Sequence, residues 1–433
     1  MSCAASPGHV RDLAEALANG SLTAEALVRR CLDRIAEVDG QVKAWVHVLA
    51  DEAIASAKAL DAEQKATGRR SLLHGIPIAV KDVIDVAELP TRANSRSRAD
   101  IAPAALDATV VAHLRAAGAI ILGKVHTTEY AYFQSIPPTR NPHDLARTPG
   151  GSSAGSSAAV AAGMVPLALG TQTAGSVNRP AAFTGIGAFK PTTRSIGGTG
   201  IVPLAPSYDT VGAFGAAPQD ATLLAAIYAP EQLRLHELDH TPLQRVVMLE
   251  DPLIARKAAP STLPAVKGLA GRLQQAGFGI ETAESPVPLD DMIADHRTVL
   301  LFEMSRLHGA LPRDLLSPFL AADIEKGLAL EPREYHAALH RLALARQTFW
   351  AAFENDCVML MPAAPDIAPS DGTTGDPAFV VPATALGGPV ASVRAGLDAP
   401  SGMPIGAMLF AAPGADRSLA GMLLSDSVRD AGL

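Results

Sequence analysis

Two loops rich in glycine and serine carry the residue types that could do chemistry in this chain. The first serine loop is Thr148-Pro-Gly-Gly-Ser-Ser-Ala-Gly-Ser-Ser157, and the second serine loop is Gly170-Thr-Gln-Thr-Ala-Gly-Ser-Val177. Glycine lets the main chain approach a ligand closely and present N–H groups to a developing negative charge, while serine supplies hydroxyl groups. An apolar segment separates the two loops, so they alternate with core and are not linkers.

A lysine at the end of a short apolar segment is the third candidate. The run Gly75-Ile-Pro-Ile-Ala-Val-Lys-Asp82 predicts a buried strand that ends at Lys81. An amine in this position is poorly solvated, so its neutral form becomes accessible and it can act as a base. A basic lysine together with two serine loops predicts acyl transfer.

These segments resemble the three blocks of the amidase signature family, whose members use a Ser-cisSer-Lys triad. The matching blocks are Ala79-Val-Lys-Asp82, Gly150-Gly-Ser-Ser153 and Thr171-Gln-Thr-Ala-Gly-Ser-Val-Asn-Arg-Pro180. The two serines are 176 − 152 = 24 positions apart, as in that family. The similarity is strong from about residue 73 to residue 215 and extends more weakly over nearly the whole chain.

The resemblance implies a role for each residue of these blocks. Ser176 would be the nucleophile, Ser152 the bridging serine on a cis peptide bond, and Lys81 the base, with no metal and no cofactor. Thr171 would hydrogen-bond the bridging serine. The other implied residues are the N–H groups of an oxyanion hole at Thr173, Ala174, Gly175 and Ser176, a supporting Ser153, and substrate contacts at Arg179, Gln134 and Tyr130.

The second serine loop departs from the usual family pattern. The family has Asp-x-Gly-Gly-Ser with an arginine two residues after the serine, whereas this chain has Gln172, Ala174 and Asn178, and its arginine follows at Arg179. This variant resembles a malonamidase-like branch, in which an arginine three residues after the nucleophile contacts a substrate carboxylate. Two interpretations stay open: Arg179 binds such a carboxylate, or it pairs with an acidic side chain under the loop.

Composition restricts the class of protein. The chain of 433 residues is 48% hydrophobic, which allows a large core, and its formal net charge of -8 disfavours nucleic acid and acidic membranes as partners. Three widely spaced cysteines make no disulfide framework, and neither a signal peptide nor a membrane-spanning stretch is apparent. We therefore expect a cytoplasmic protein whose partner is a small-molecule amide, ester or carbamate, and a homodimer stays open.

Short apolar strands alternate with helices along the chain. The patterns predict strands at 44–48, 120–122, 167–171, 246–249 and 358–361, and helices after Thr23 and at 50–64, 109–117 and 333–353. This alternation predicts an α/β fold with a central mixed, mostly parallel β-sheet covered by helices on both faces. We expect one domain over 1–433, with a helical segment (1–70), the catalytic motifs (71–215) and the remaining core (216–433). Pro- and Gly-rich stretches at 195–206 and 363–389 predict long surface loops.

Two further motifs predict different chemistry. His236-Glu-Leu-Asp-His240 fits the H-E-x-x-H pattern of zinc hydrolases, but Pro242 follows almost at once and removes the long helix that such a site needs. Gly151-Ser-Ser-Ala-Gly155 fits the G-x-S-x-G nucleophile elbow, which would make Ser153 the nucleophile. That interpretation leaves Lys81 and the second serine loop without a role.

The function that we expect is hydrolysis of small or medium amides through an acyl-enzyme, with activity on esters, anilides or carbamates. The alternatives are a malonamidase-like hydrolase of carboxylate-bearing amides, an A-type component of an amidotransferase, a catalytically idle relative, and a zinc hydrolase built on His236 and His240. Retention of Lys81, Ser152 and Ser176 together argues against an idle protein.

Overall fold

The strands of the structure, a computed structural model, form a single large sheet. The structure describes residues 7–133, 135–229, 233, 243–353, 356–370 and 372–432. The strands within these residues are β1 (Trp45–Val48), β2 (Pro77–Lys81), β3 (Ile120–Val125), β4 (Leu167–Gln172), β5 (Gly187–Lys190), β6 (Thr210–Gly215), β7 (Arg245–Glu250), β8 (Gly279–Glu284), β9 (Cys357–Pro362), β10 (Val390–Leu397) and β11 (Pro404–Phe410). Their order in the sheet is β1-β3-β2-β4-β6-β5-β10-β11-β9-β7-β8.

Helices flank this sheet. They are α1 (Val10–Asn19), α2 (Ala24–Val42), α3 (Ala50–Thr67), α4 (Thr109–Ala116), α5 (Ala154–Ala161), α6 (Asn178–Thr184), α7 (Pro218–Tyr228), α8 (Pro252–Lys257), α9 (Thr262–Gln275), α10 (Leu289–His308), α11 (Pro318–Ala329), α12 (Pro332–Ala351), α13 (Val380–Ala385), α14 (Asp416–Leu424) and α15 (Asp426–Asp430). Short 3₁₀ turns lie at Arg96–Arg98, Glu129–Ala131 and Arg313–Leu315. No helix in the described ranges has the length and apolar character needed to cross a membrane.

The predicted fold class, a mixed sheet flanked by helices, is confirmed, but parallel pairing is less common than expected. Only β2 with β3 and β4, and β7 with β8 and β9, pair in parallel, while the other six neighbouring pairs are antiparallel. Parallel neighbours need a long crossover, usually a helix. Residues 398–403 alone join β10 to β11, so these two strands can only form an antiparallel hairpin.

Strands β2, β3 and β4 form the part of the sheet that carries the catalytic motifs. Every residue of these strands is buried. Successive side chains of a strand point to opposite faces, so complete burial means that both faces are covered here. Because β2 and β4 are parallel neighbours, Lys81 and Thr171 lie near their carboxyl ends at the same edge of the sheet.

The predicted helix after Thr23 is confirmed, and Thr23 caps it. Thr23 Oγ1 accepts a hydrogen bond from the N–H of Ala26 at 3.1 Å, the usual arrangement at a helix N-terminus. The other predicted strands and helices differ from the observed ones only at their ends. One loop prediction was too simple, because residues 363–389 include the buried helix α13, whose apolar residues pack inside the protein.

Helix α5 starts in close contact with the backbone at the end of β3. Gly155 donates its N–H to the carbonyl of His126 at 2.9 Å. A Cβ at this glycine would lie 2.4 Å from His126 N and 2.5 Å from Ala44 O, and these are backbone atoms that cannot swing aside. The glycine therefore sets how closely the first serine loop approaches the sheet.

We expect Gly155→Ala to lower the free energy of unfolding by about 1–3 kcal/mol, the usual cost of overpacking. Gly268→Ala is the matched control, because Gly268 lies in α9 with open space around its Cβ position. That change should leave stability unchanged or raise it by up to about 1 kcal/mol through helix propensity. Chemical unfolding gives the free energy of unfolding of both variants. Equal values for the two variants would contradict the packing argument.

Candidate active site

Lys81 is completely buried at the end of β2, and its amine contacts two hydroxyl groups. Its Nζ donates to Ser152 Oγ at 2.7 Å and to Thr171 Oγ1 at 2.7 Å. Thr171 therefore contacts the lysine, whereas we expected it to contact the bridging serine. Burial lowers the pKa of Lys81 well below its usual value of 10.5, and the charge of Asp209 opposes this shift only in part. The neutral amine, which can accept a proton, is thus accessible.

The first serine loop contains a cis peptide bond between Gly151 and Ser152. The next residue, Ser153, is buried and ties this loop to the second one. Its N–H donates to Ser176 O at 3.4 Å, and its Oγ donates to Thr171 O at 3.3 Å. The hydroxyl of Ser153 is therefore engaged with the backbone of β4, which disfavours its role as the nucleophile of a G-x-S-x-G elbow.

Ser152 and Ser176 line the same small cavity, which we call the serine cavity. Its volume is about 10 Å³, roughly the space of one water molecule. The remaining lining residues are Ala131, Phe133, Thr173, Ala174, Arg179, Leu204 and Leu300. The structure thus brings together the three residues of the predicted triad, since Lys81 contacts Ser152 and Ser152 shares a cavity with Ser176.

The backbone of residues 173–176 has its N–H groups free and its carbonyl groups occupied. None of these four N–H groups has a hydrogen-bond partner among the described residues. Each carbonyl accepts one bond: Thr173 O from His296 Nε2 at 2.9 Å, Ala174 O from Thr384 Oγ1 at 2.6 Å, Gly175 O from Arg179 N at 3.0 Å and Ser176 O from Ser153 N at 3.4 Å. Such a set of donors suits a negatively charged oxygen.

Two neutral amides cap the second serine loop where the family usually has an Asp and an Arg. Gln172 Oε1 accepts from the N–H groups of Val177 at 2.8 Å and Asn178 at 3.0 Å. The side-chain amide of Asn178 also donates to this oxygen, at 3.3 Å. The nitrogen of Gln172 donates to Thr384 Oγ1 at 2.9 Å, so the cap is joined to α13.

Arg179 lines the serine cavity and is 1% exposed. Its Nη2 donates to Gly151 O at 2.8 Å and to Thr374 Oγ1 at 3.0 Å, and its Nη1 donates to Gly375 O at 3.0 Å. Its Nε has no partner among the described residues, and the partners of its two Nη groups are carbonyl and hydroxyl oxygens, not an acidic side chain. Burial lowers the pKa of Arg179 to about 10, against the opposing charge of Asp376, so the group stays charged at neutral pH.

The predicted contact at Tyr130 is not part of this cavity. The Tyr130 ring packs on His308, with 4.5 Å between the centroids, and its hydroxyl lies 2.7 Å from Ser97 Oγ. Tyr130 has a left-handed backbone with φ of 50°, and it is its neighbours Ala131 and Phe133 that line the cavity. The predicted contact Gln134 and the motif at 236–240 lie outside the described residues.

A second, larger cavity adjoins the serine cavity, and we call it the side cavity. It has a volume of about 340 Å³ and shares the lining residues Ala131, Thr173 and Leu204 with the serine cavity. Its wall is mainly apolar, with Ile196, Ile201, Val202, Pro203, Pro206 and Val211. The polar groups around it belong to Thr171, Arg194, Asp209 and Thr210. It offers room for an apolar part of a substrate beside the two serines.

Two residues at the site could not be predicted from the sequence because they belong to no motif. His296 comes from α10 and Thr384 from α13, and they are 123 and 210 positions away from the carbonyls that they contact. His296 stacks on Tyr208 at 4.2 Å between ring centroids. No signal in the sequence around either residue distinguishes it from other buried polar residues.

Known proteins resemble this chain along most of its length. The A-type component of the glutamyl-tRNA(Gln) amidotransferase of Anaeromyxobacter sp. (strain K) is 33% identical to it over 460 residues, which cover 93% of this chain and 92% of that protein. A crystal structure of an amidase superposes with a TM-score of 0.86 at 27% identity, covering 96% and 98% of the two chains. The peptide amidase from Stenotrophomonas maltophilia gives 0.80 at 25% identity, covering 98% and 96%. The amidase family matches residues 26–420, and this chain belongs to that family.

Proposed function

We propose that this protein is an amidohydrolase that cleaves the C–N bond of small or medium amides through an acyl-enzyme on Ser176. The observation that carries the proposal is the 2.7 Å contact between the buried amine of Lys81 and Ser152 Oγ, beside a cavity that Ser176 also lines. The chain's membership of the amidase family supports the same reaction class.

The proposed reaction uses these groups in a relay. Neutral Lys81 takes the proton of Ser152, Ser152 takes the proton of Ser176, and Ser176 Oγ attacks the amide carbonyl. The free N–H groups of residues 173–176 bind the resulting oxyanion. The relay then returns the proton to the leaving nitrogen, the C–N bond breaks, and water hydrolyses the ester on Ser176. Esters, anilides and carbamates can enter the same sequence because they also undergo attack at a carbonyl.

A second candidate function is hydrolysis of an amide that carries a carboxylate, such as malonamate or glutamine. The observation that favours it is Arg179, a charged and buried guanidinium at the serine cavity whose Nε has no described partner. A charged hydrogen bond from Nε would hold the carboxylate beside Ser176. The similarity to a protein named as the A-type component of a glutamyl-tRNA(Gln) amidotransferase makes a role as such a component, within a complex, the other alternative for this chain.

Ser176→Ala should abolish amide hydrolysis, and Lys81→Ala and Ser152→Ala should each lower kcat/KM by several orders of magnitude because each breaks the relay. A fluorophosphonate should add one label at Ser176 of the wild type, as measured by mass spectrometry. Ser153→Ala tests the alternative nucleophile, since it removes the hydroxyl of the G-x-S-x-G motif and should still be labelled at Ser176. Hydrolysis at the normal rate by Ser176→Ala would refute the proposal.

The pH dependence of kcat/KM should follow deprotonation of Lys81. The reaction needs the neutral amine, so the rate should fall as the pH drops through the pKa of Lys81 and reach a plateau above it. Because burial lowers that pKa well below 10.5, the plateau should be reached well before pH 10. A kcat/KM measured from pH 5 to 10 that keeps rising to the upper end would show an ordinary, solvated lysine.

Arg179→Ala should raise KM for malonamate and glutamine by about 10–100-fold, the effect of losing a charged hydrogen bond of about 1.5–3 kcal/mol. KM for propionamide, which has no carboxylate, should change much less. Steady-state kinetics on the three amides, with thermal unfolding of the variant, makes the comparison. An equal loss on all three would instead identify Arg179 as a support for Gly151 and the first serine loop.

A further inference from the structure

The carbonyl groups of residues 173–175 are held by donors from outside the second serine loop, and this has a geometric consequence. In a trans peptide unit, the C=O group and the following N–H group point in opposite directions. A bond that holds Thr173 O toward the interior therefore turns the N–H of Ala174 the other way. Ala174 is one of the residues that line the serine cavity. The donor to Thr173 O thus controls where this N–H points.

That donor is His296, a fully enclosed histidine on α10. Its Nε2 lies 2.9 Å from Thr173 O, and a carbonyl oxygen only accepts, so Nε2 carries the proton. Burial lowers the pKa of His296 to about 4, which keeps the ring neutral at neutral pH. The ring stacks on Tyr208 with an interplanar angle of 30°, and this contact fixes the plane in which Nε2 donates.

The residue after Tyr208, Asp209, holds the side chain of Thr173. Asp209 accepts a hydrogen bond from Thr173 Oγ1 at 2.5 Å, while its second oxygen accepts from the N–H groups of Leu204 and Ala205. Thr173 is therefore held at its hydroxyl by Asp209 and at its carbonyl by His296. Rotation of the peptide between Thr173 and Ala174 would break the bond to His296.

We propose that His296 is a positioning residue that aims the N–H of Ala174 at the oxyanion formed in the reaction. The inference rests on the proposed function, because only an acyl-transfer reaction forms that oxyanion. His296 does not touch the reacting atoms, and it acts through the peptide unit that it holds. Thr384 Oγ1 holds Ala174 O in the same way and so directs the N–H of Gly175.

The test compares His296→Leu, which removes the donor, with His296→Gln, which keeps an N–H donor on a side chain of similar reach. His296→Leu should lower kcat by about 10–100-fold, less than the roughly 100–1000-fold loss on deleting an oxyanion donor outright. KM for propionamide should change little, because the ground-state carbonyl depends less on these N–H groups than the oxyanion does. His296→Gln should recover most of kcat.

A second measurement separates positioning from simple support of the fold. An alkylboronic acid adds to a serine hydroxyl and gives an anionic adduct, so its affinity should fall in His296→Leu by about the same factor as kcat/KM. His74→Leu is the matched control, because His74 Nε2 makes the same kind of buried bond, to Leu60 O at 3.0 Å, away from the serine loops. It should lower the melting temperature and leave kcat and boronate affinity unchanged.

Several outcomes would overturn the inference. Wild-type kcat in His296→Leu, or equal losses in the Leu and Gln variants that track a loss of stability, would show that the histidine only supports the fold. If His296→Leu does not fold, Thr384→Val tests the neighbouring peptide unit by removing the donor to Ala174 O, and an unchanged kcat there would count against the idea. Activity in Ser176→Ala would instead refute the proposed function itself, whereas an inactive Ser176→Ala with a fully active His296→Leu would refute only this inference.

Discussion

The desolvated amine of Lys81 is the constraint on which the site depends. Removing an ammonium ion from water costs several kcal/mol unless a carboxylate compensates, and a buried group then loses its proton instead. The next strand shows the contrast, because the buried amine of Lys124 lies 2.6 Å from Asp82 Oδ1. Lys81 has two hydroxyl partners and, within the described ranges, no ion pair. The carboxylate beside Lys124 makes that lysine an ion-pair partner, whereas burial beside hydroxyl groups leaves the neutral amine of Lys81 accessible.

The cap of the second serine loop is neutral. A buried carboxylate at position 172 would need a paired cation, which the usual pattern supplies with its arginine two residues after the serine. Gln172 accepts from the backbone N–H groups of Val177 and Asn178 at the start of α6 without a charge. The cation of the usual pattern is displaced to Arg179, where it lies at the cavity wall and holds Gly151 O. The charge distribution around the serines therefore differs from that of the usual pattern.

Local sequence patterns predicted the strands and helices well, but they predicted the direction of strand pairing poorly. Strands such as β2 and β4 are short apolar runs, and the cap at Thr23 depends only on the residues that follow it. Pairing direction depends on which strands meet in space, so the expectation of a mostly parallel sheet was wrong although the mixed α/β class was confirmed. Helix α13 was missed because the proline- and glycine-rich stretch around it is typical of a loop, and only packing shows that the helix is buried.

The sequence by itself determined the candidate triad, because Lys81, Ser152 and Ser176 lie in short motifs whose chemistry follows from residue type and spacing. It also showed the departure at Gln172, Asn178 and Arg179. Only the tertiary structure decided that Tyr130 is not among the residues that line the serine cavity and that His296 and Thr384 hold the loop carbonyls. The physical reason is that a carbonyl takes whichever donor the packing of distant segments brings to it, and no local pattern records a contact across 123 or 210 positions.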